Sequence, residues 1–140
     1  MLPVDTNIIF PLILRSSRTD QIQTLLELDH DWRIEPFALQ EISNILATHE
    51  RNKLLSRDEV FGYFAKAQKL LDNLLHPVPD EVVLDVAMQY KITTYDARFL
   101  AVAKELGTRL VTEDRKLRNS APNLTQSLDD ALIAAGLKPS

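Results

Sequence analysis

The chain has 140 residues, 16 Lys plus Arg against 20 Asp plus Glu, a formal charge of −4, 45% apolar residues and no cysteine. That balance suits one folded unit with a core of its own and excludes disordered, fibrous and disulfide-built classes. Without cysteine, zinc–thiolate centres, thiol nucleophiles and redox switches are excluded too.

No apolar run approaches the roughly 20 residues needed to span a bilayer. Met1-Leu2-Pro3-Val4-Asp5 reaches an acid with no basic region before it, unlike a secretory signal. A cytoplasmic protein without membrane attachment is the expectation. There is no internal repeat, low-complexity tract or Gly/Ser linker, so a single domain is expected over residues 1–135, with 136–140 as a flexible tail.

Leu2-Pro3-Val4 reads as a buried strand ending at Asp5, and Ile8 to Leu14, apolar on nearly every side, as a short buried helix capped by Thr6 or Asn7. Ile22, Leu25 and Leu26 give Thr19 to Leu28 a helical stripe, and Trp32-Arg33-Ile34 reads as a strand. A helix starts at Pro36 and runs to about His49, with Leu39, Ile42, Ile45 and Leu46 inward. Ser56-Arg57-Asp58-Glu59 has the capping-box form, opening a long helix with Val60, Phe64, Ala67, Leu71 and Leu74 on one stripe. Pro77 and Pro79 break it; Asp80 caps a helix to Tyr90 with Val83, Ala87 and Met88 inward. Asp96 to Leu106 is a further helix, with Phe99, Leu100, Ala103 and Leu106 on one stripe and Gly107 as its C-cap. Thr108 to Thr112 is a buried strand, Asp114 opens a short helix, and Ser127 to Ala135 is the last.

Strands separated by helical crossovers must pair in parallel. The fold class expected is α/β: a three-layer sandwich with a small central parallel sheet flanked by helices. Ligands in such folds gather beyond the carboxyl ends of the strands.

Asp5 and Asp114 follow two of those strands, Asp96 opens a helix after Lys91 to Tyr95, and Glu41 lies near the start of the helix after Pro36. Each alone reads as readily as a helix cap or a surface residue. Three acids at strand-to-helix switch points together favour a site. Carboxylates about 4 Å apart repel by roughly 4 kcal/mol per pair, so protonation or a cation must relieve a cluster. An all-carboxylate site suits Mg²⁺ or Mn²⁺, which retain waters and complete their shells with phosphate oxygens; metal-assisted phosphodiester hydrolysis is the chemistry implied. Glu50 or Glu59 competes with Glu41 if the helix register differs, whereas Glu113 and Asp85 read as solvated.

Val4-Asp5-Thr6-Asn7, the helix with Glu41-x-x-Asn44, Tyr95-Asp96-Ala97-Arg98-Phe99-Leu100-Ala101 and Leu110-Val111-Thr112-Glu113-Asp114-Arg115-Lys116-Leu117 resemble the successive blocks of PIN-domain ribonucleases. Their order and the chain length resemble the VapC-like toxins of type II toxin–antitoxin systems. The resemblance implies that Asp5, Glu41, Asp96 and Asp114 bind the metal, with Thr112 and Thr6 or Asn7 as polar supports. It implies an endoribonuclease acting on RNA, tRNA among the candidates, restrained by a cognate antitoxin, and forming a homodimer. Phe61, Phe64, Leu71, Leu74 and Leu75 are core by default; by resemblance they would line a groove for an apolar antitoxin segment.

Setting the four acids aside, the remaining charge balances, so acidity does not oppose RNA binding. Arg98, Arg115 and Lys116 are the first basic candidates for RNA, with Arg118, Arg15 and Arg18 behind them. The alternatives are a PIN-like module that binds RNA or protein without catalysis, and a phosphoacceptor receiver domain. The latter wants adjacent acids after the first strand and a Lys after the last, neither of which is here. His30, His49 and His76 lack metal-ligand spacing, and with three Gly there is no phosphate-cradling loop.

Overall fold

In the computed structural model, which describes residues 1–138, the sheet is assembled from strands too short to be stable except as neighbours. The chain opens with β1 (Leu2–Pro3), α1 (Thr6–Ile13), α2 (Thr19–Leu28), β2 (Trp32–Arg33), α3 (Ala38–Arg51) and α4 (Arg57–Leu71). It continues through α5 (Asp80–Tyr90), α6 (Thr94–Leu106), β3 (Leu110–Val111), α7 (Arg115–Ser120), β4 (Thr125–Gln126) and α8 (Leu128–Ala134). β1 pairs with β2 in parallel, Leu2 opposite Trp32 and Pro3 opposite Arg33; β3 pairs with β4 in parallel. Parallel bridges from Val4 to Val111 and from Ile34 to Leu75 join these pairs, giving the order Leu75, β2, β1, β3, β4. Helical crossovers separate the strands, as parallel pairing requires.

The core runs along this sheet: Val4, Trp32, Ile34, Leu110 and Val111 are buried with Ile8 and Ile9 of α1, Ile42 and Leu46 of α3, Leu71 of α4 and Phe99 and Leu100 of α6. Each large apolar side chain so buried is worth about 1.5–3 kcal/mol against the entropy of ordering the chain. α6 packs on β1 and β3 with α5 against it, while α1 meets α2, α3 and α4.

Several boundaries shift for local reasons. Asp5, rather than Thr6 or Asn7, is the N-cap of α1, its carboxylate accepting from the Thr6 amide. Thr93 caps α6 through its hydroxyl, so the helix begins at Thr94 and Asp96 sits inside its first turn. Pro79 precedes α5, and Asp80 is its first residue. Val86 is buried in α5, whereas Met88 is 65% exposed. The capping box of Ser56 and Glu59 forms as the sequence predicts. On α4, Ala67 and Leu71 are buried, but Phe61 is 59% exposed; Leu75 lies beyond the helix as the outermost bridge of the sheet. β4 has no counterpart in the sequence reading.

After α8 the amides of Gly136 and Leu137 bond back to the carbonyls of Ile133 and Leu132; Pro139 and Ser140, the end of the expected tail, lie outside the described residues. Among the described residues no helix is long and apolar enough to cross a membrane.

Candidate active site

Parallel strands end at one edge, and there the chain turns into helices whose N-terminal dipoles favour anions. Asp5 caps α1 and Asp114 caps α7, the latter accepting from the Leu117 amide at 3.1 Å. Glu41 and Asp96 sit in the first turns of α3 and α6. The rings of Phe37 and Tyr95, at the starts of those two helices, stack with centroids 5.3 Å apart and tie the two turns together. The result is a cavity of about 200 Å³ lined by Asp5, Thr6, Asn7, Glu41, Ile45, Asp96 and Asp114. All four expected acids face one space, drawn from positions as far apart as 5 and 114.

Polar side chains hold the acids in orientation. The Thr112 hydroxyl, fully buried, donates to Asp5 Oδ2 at 2.7 Å while accepting from the Asp114 amide at 3.1 Å and from Asn7 Nδ2 at 3.2 Å. Thr112 therefore fixes the carboxylate of Asp5 and only the backbone of Asp114. Thr6 donates to Glu41 Oε1 at 2.6 Å. Asn7 also accepts from the Glu113 amide at 3.2 Å, so Thr6 and Asn7 each support the site with a distinct partner.

The electrostatics are unfavourable in the metal-free protein. Burial pushes the Asp5 carboxyl from its ordinary 3.8 up to about 7; the charges of Glu41 and Asp96 add to that, and hydrogen bonds from Thr112 and Thr6 oppose it. Burial likewise raises Glu41, with Asp96 and Glu35 adding and Thr6 opposing. Asp96 is raised by burial and then by Asp114, against Thr93 and Lys116. Among the described residues no three acidic or histidine side chains are already gathered tightly enough to chelate an ion; the carboxylates surround the cavity instead. The donor set is all oxygen, its most buried member has only neutral donors, and its members repel. That chemistry fits a hard divalent cation, with Asp5, Glu41, Asp96 and Asp114 as its available ligands.

A fifth acid was missed. Glu35, 4% exposed, follows β2 as Asp5 follows β1, and the register of Leu2 with Trp32 sets the two in corresponding places. The sequence signal was available: an acid one residue beyond Trp32-Arg33-Ile34. Glu35 accepts from the Phe37 amide at 2.6 Å and pairs with Arg98 at 3.5 Å.

The basic candidates part company. Arg98, expected beside the acids, pairs with Glu35 and with Asp80 at 3.7 Å; two residues along a helix from Asp96, it points to another side. Arg115 and Lys116 are exposed on the first turn of α7. Arg18 and Arg118 both pair with Glu113, and Arg15 pairs with Asp20 at 2.7 Å. Glu113 is thus clamped, its side chain only 16% exposed, and not solvated as its sequence position suggested; Asp85 is solvated, paired with Lys104 at 3.5 Å. Glu50 and Glu59 line a separate depression with Leu54 and Arg57 at the α3–α4 turn.

The sequence matches the PIN domain family over residues 3–121. It is 29% identical over 126 residues to Ribonuclease VapC3 of Pyrobaculum aerophilum, covering 88% of this chain and 96% of that protein. In three dimensions it matches the crystal structure of PAE2754 from Pyrobaculum aerophilum with a TM-score of 0.68 at 22% identity, over 96% of this chain and 94% of that one. At that identity the structural match is a likeness of fold.

Proposed function

The chain belongs to the PIN domain family, and on that footing we propose that it is a Mg²⁺- or Mn²⁺-dependent endoribonuclease, the toxin of a toxin–antitoxin pair. The observation that carries this reading is the convergence of Asp5, Glu41, Asp96 and Asp114 on one cavity. A ribonuclease among its relatives supports the choice of RNA as substrate.

Asp5, Asp96 and Asp114 hold the ion, and Glu41 binds it or orients the attacking water, its Oε1 already held by Thr6. The bound ion supplies Lewis-acid stabilisation of charge on the phosphoryl oxygens and lowers the pKa of water. Thr112 keeps the Asp5 carboxylate aimed into the cavity. Lys116 and Arg115 meet the RNA backbone, while Arg98 serves the fold through Glu35 and Asp80. No side chain becomes covalently attached to RNA. Exposed Leu54 and Phe61 near the α3–α4 turn support a face for the apolar segment of an antitoxin; a homodimer would use another face.

The test is cleavage of tRNA and structured RNA pools by antitoxin-free protein with Mg²⁺, Mn²⁺ or EDTA, beside Asp5→Asn and Asp96→Asn. Metal-dependent cuts lost in both variants are expected. Folded, metal-loaded wild type that binds RNA but leaves it intact would replace the nuclease with a binding module.

A further inference from the structure

A second cavity, of about 340 Å³, opens against the first, and Asp96 lines both. Its other polar walls are Lys91, Thr93, Lys116 and Ser120. Where the first cavity is ringed by carboxylates, this one offers two ammonium groups and two hydroxyls. Among the described residues neither Lys91 nor Lys116 takes part in an ion pair.

Lys91 occupies a position that suits a different residue. It ends α5 in the left-handed conformation, φ 56 and ψ 49, where a Cβ is unfavourable and glycine is the usual cap. Gly107 ends the neighbouring helix α6 in that same conformation, with φ 70. Lys53 has a positive φ as well, at 60; what sets Lys91 apart is that it lines a cleft shared with one of the acids.

We propose that this cleft seats the RNA backbone phosphate next to the one that is cleaved, with Lys91 as its anchor and Lys116 on the opposite wall. The inference rests on the nuclease reading above and adds to it the subsite that sets the strand across Asp96. Phosphate is the fitting occupant: point-charge ammonium groups and hydroxyl donors complement an oxyanion, and the shared Asp96 places them one step from the acid cavity. The seat also offsets the repulsion that unneutralised acids would exert on an incoming polyanion.

Lys91→Gly tests it without risk to the fold, because glycine relieves the left-handed backbone. Binding of a fluorescein-labelled 12-nucleotide RNA is followed by anisotropy in Ca²⁺ across 50–200 mM KCl, for wild type, Lys91→Gly and Lys91→Arg. Loss of one phosphate contact should weaken Lys91→Gly binding about fivefold and reduce the slope of log affinity against log salt by about 0.7, with Lys91→Arg keeping the wild-type slope and all three melting alike or Lys91→Gly higher. Wild-type affinity and slope in Lys91→Gly, when wild type binds and cuts RNA, would overturn the subsite and leave the nuclease standing. Wild type that neither binds nor cuts RNA in Mg²⁺ or Mn²⁺ would remove both. Weakened binding of an acidic protein partner with RNA binding unchanged would overturn it in favour of a protein contact.

Discussion

Asp5 and Glu35 stand at corresponding positions beyond two paired strands, and both are buried, at 8% and 4% exposure. Their surroundings differ in one respect. Glu35 has a cation of the protein's own, Arg98 at 3.5 Å, besides the Phe37 amide. Asp5 has only neutral donors, Thr112, the Thr6 amide and Asn7, while Glu41 and Asp96 press on it with like charge. Burying an acid costs several kcal/mol unless it is paired. One charge is settled internally and the other is not; on the function proposed above, a cation from outside would settle it, which would make Glu35 a structural acid and Asp5 a functional one.

Exchanging the two carboxylates for amides is the sharpest way to break this comparison. Asp5→Asn preserves the helix cap, since Asn caps as well as Asp, but removes a charge from the donor set. Metal-dependent RNA cleavage should fall about 10³-fold, roughly 4 kcal/mol of transition-state stabilisation, whereas Glu35→Gln should lose less than about tenfold. Initial rates in Mn²⁺ decide it; equal losses would place Glu35 among the metal ligands.

The next largest effect is on stability and has the opposite sign from most active-site damage. The folded pKa of Asp5 is about 7 against an ordinary 3.8. Below about pH 4 both folded and unfolded states carry the proton and the group is neutral to stability. As pH rises towards 7 the unfolded state ionises first, so stability falls across that window and stays lower above it, by an amount on the order of a few kcal/mol. Urea titrations of metal-free protein should therefore show Asp5→Asn more stable than wild type at pH 8, the gap closing towards pH 4. Mn²⁺ should recover stability at pH 8 in wild type and not in the variant.

Glu35→Gln should do the reverse: a loss of about 1–3 kcal/mol from leaving partly buried Arg98 with exposed Asp80 as its remaining charged partner, read as a lower urea midpoint that Mn²⁺ does not alter beyond its effect on wild type.

How far the sequence disclosed these differences depended on the length scale of the signal. Helices of ten residues or more carry two or three turns of apolar spacing, so α2, α3, α4 and α6 were legible with their inward residues. Two-residue strands carry no alternation, which is why β4 went unseen and Leu75 was read onto a helix face. The four acids were legible because each stands at the opening of a helix. Glu35 carries the same local signal as Asp5, an acid directly after a strand, but that the two stand side by side follows only from the pairing of Leu2 with Trp32. The destination of Arg98 was not legible, although its two-residue offset from Asp96 already placed the side chains on different sides of the helix.

Thr112 offers the smallest and most selective change, because it touches Asp5 and nothing around Glu35. Thr112→Val keeps the volume and deletes the hydroxyl. Asn7 Nδ2 and the Asp114 amide lose their acceptor and Asp5 loses its donor, at a cost of about 1–2 kcal/mol. That hydrogen bond lowers the Asp5 pKa, so its removal should move the pH window of metal-free destabilisation upward and weaken Mn²⁺ binding at neutral pH by making the proton a stronger competitor. Thr112→Ser, which retains the donor, should restore both. A valine variant whose pH window stays in place would mean that Thr112 only fills the core, and that the orientation of Asp5 is set by the Thr6 amide and Asn7.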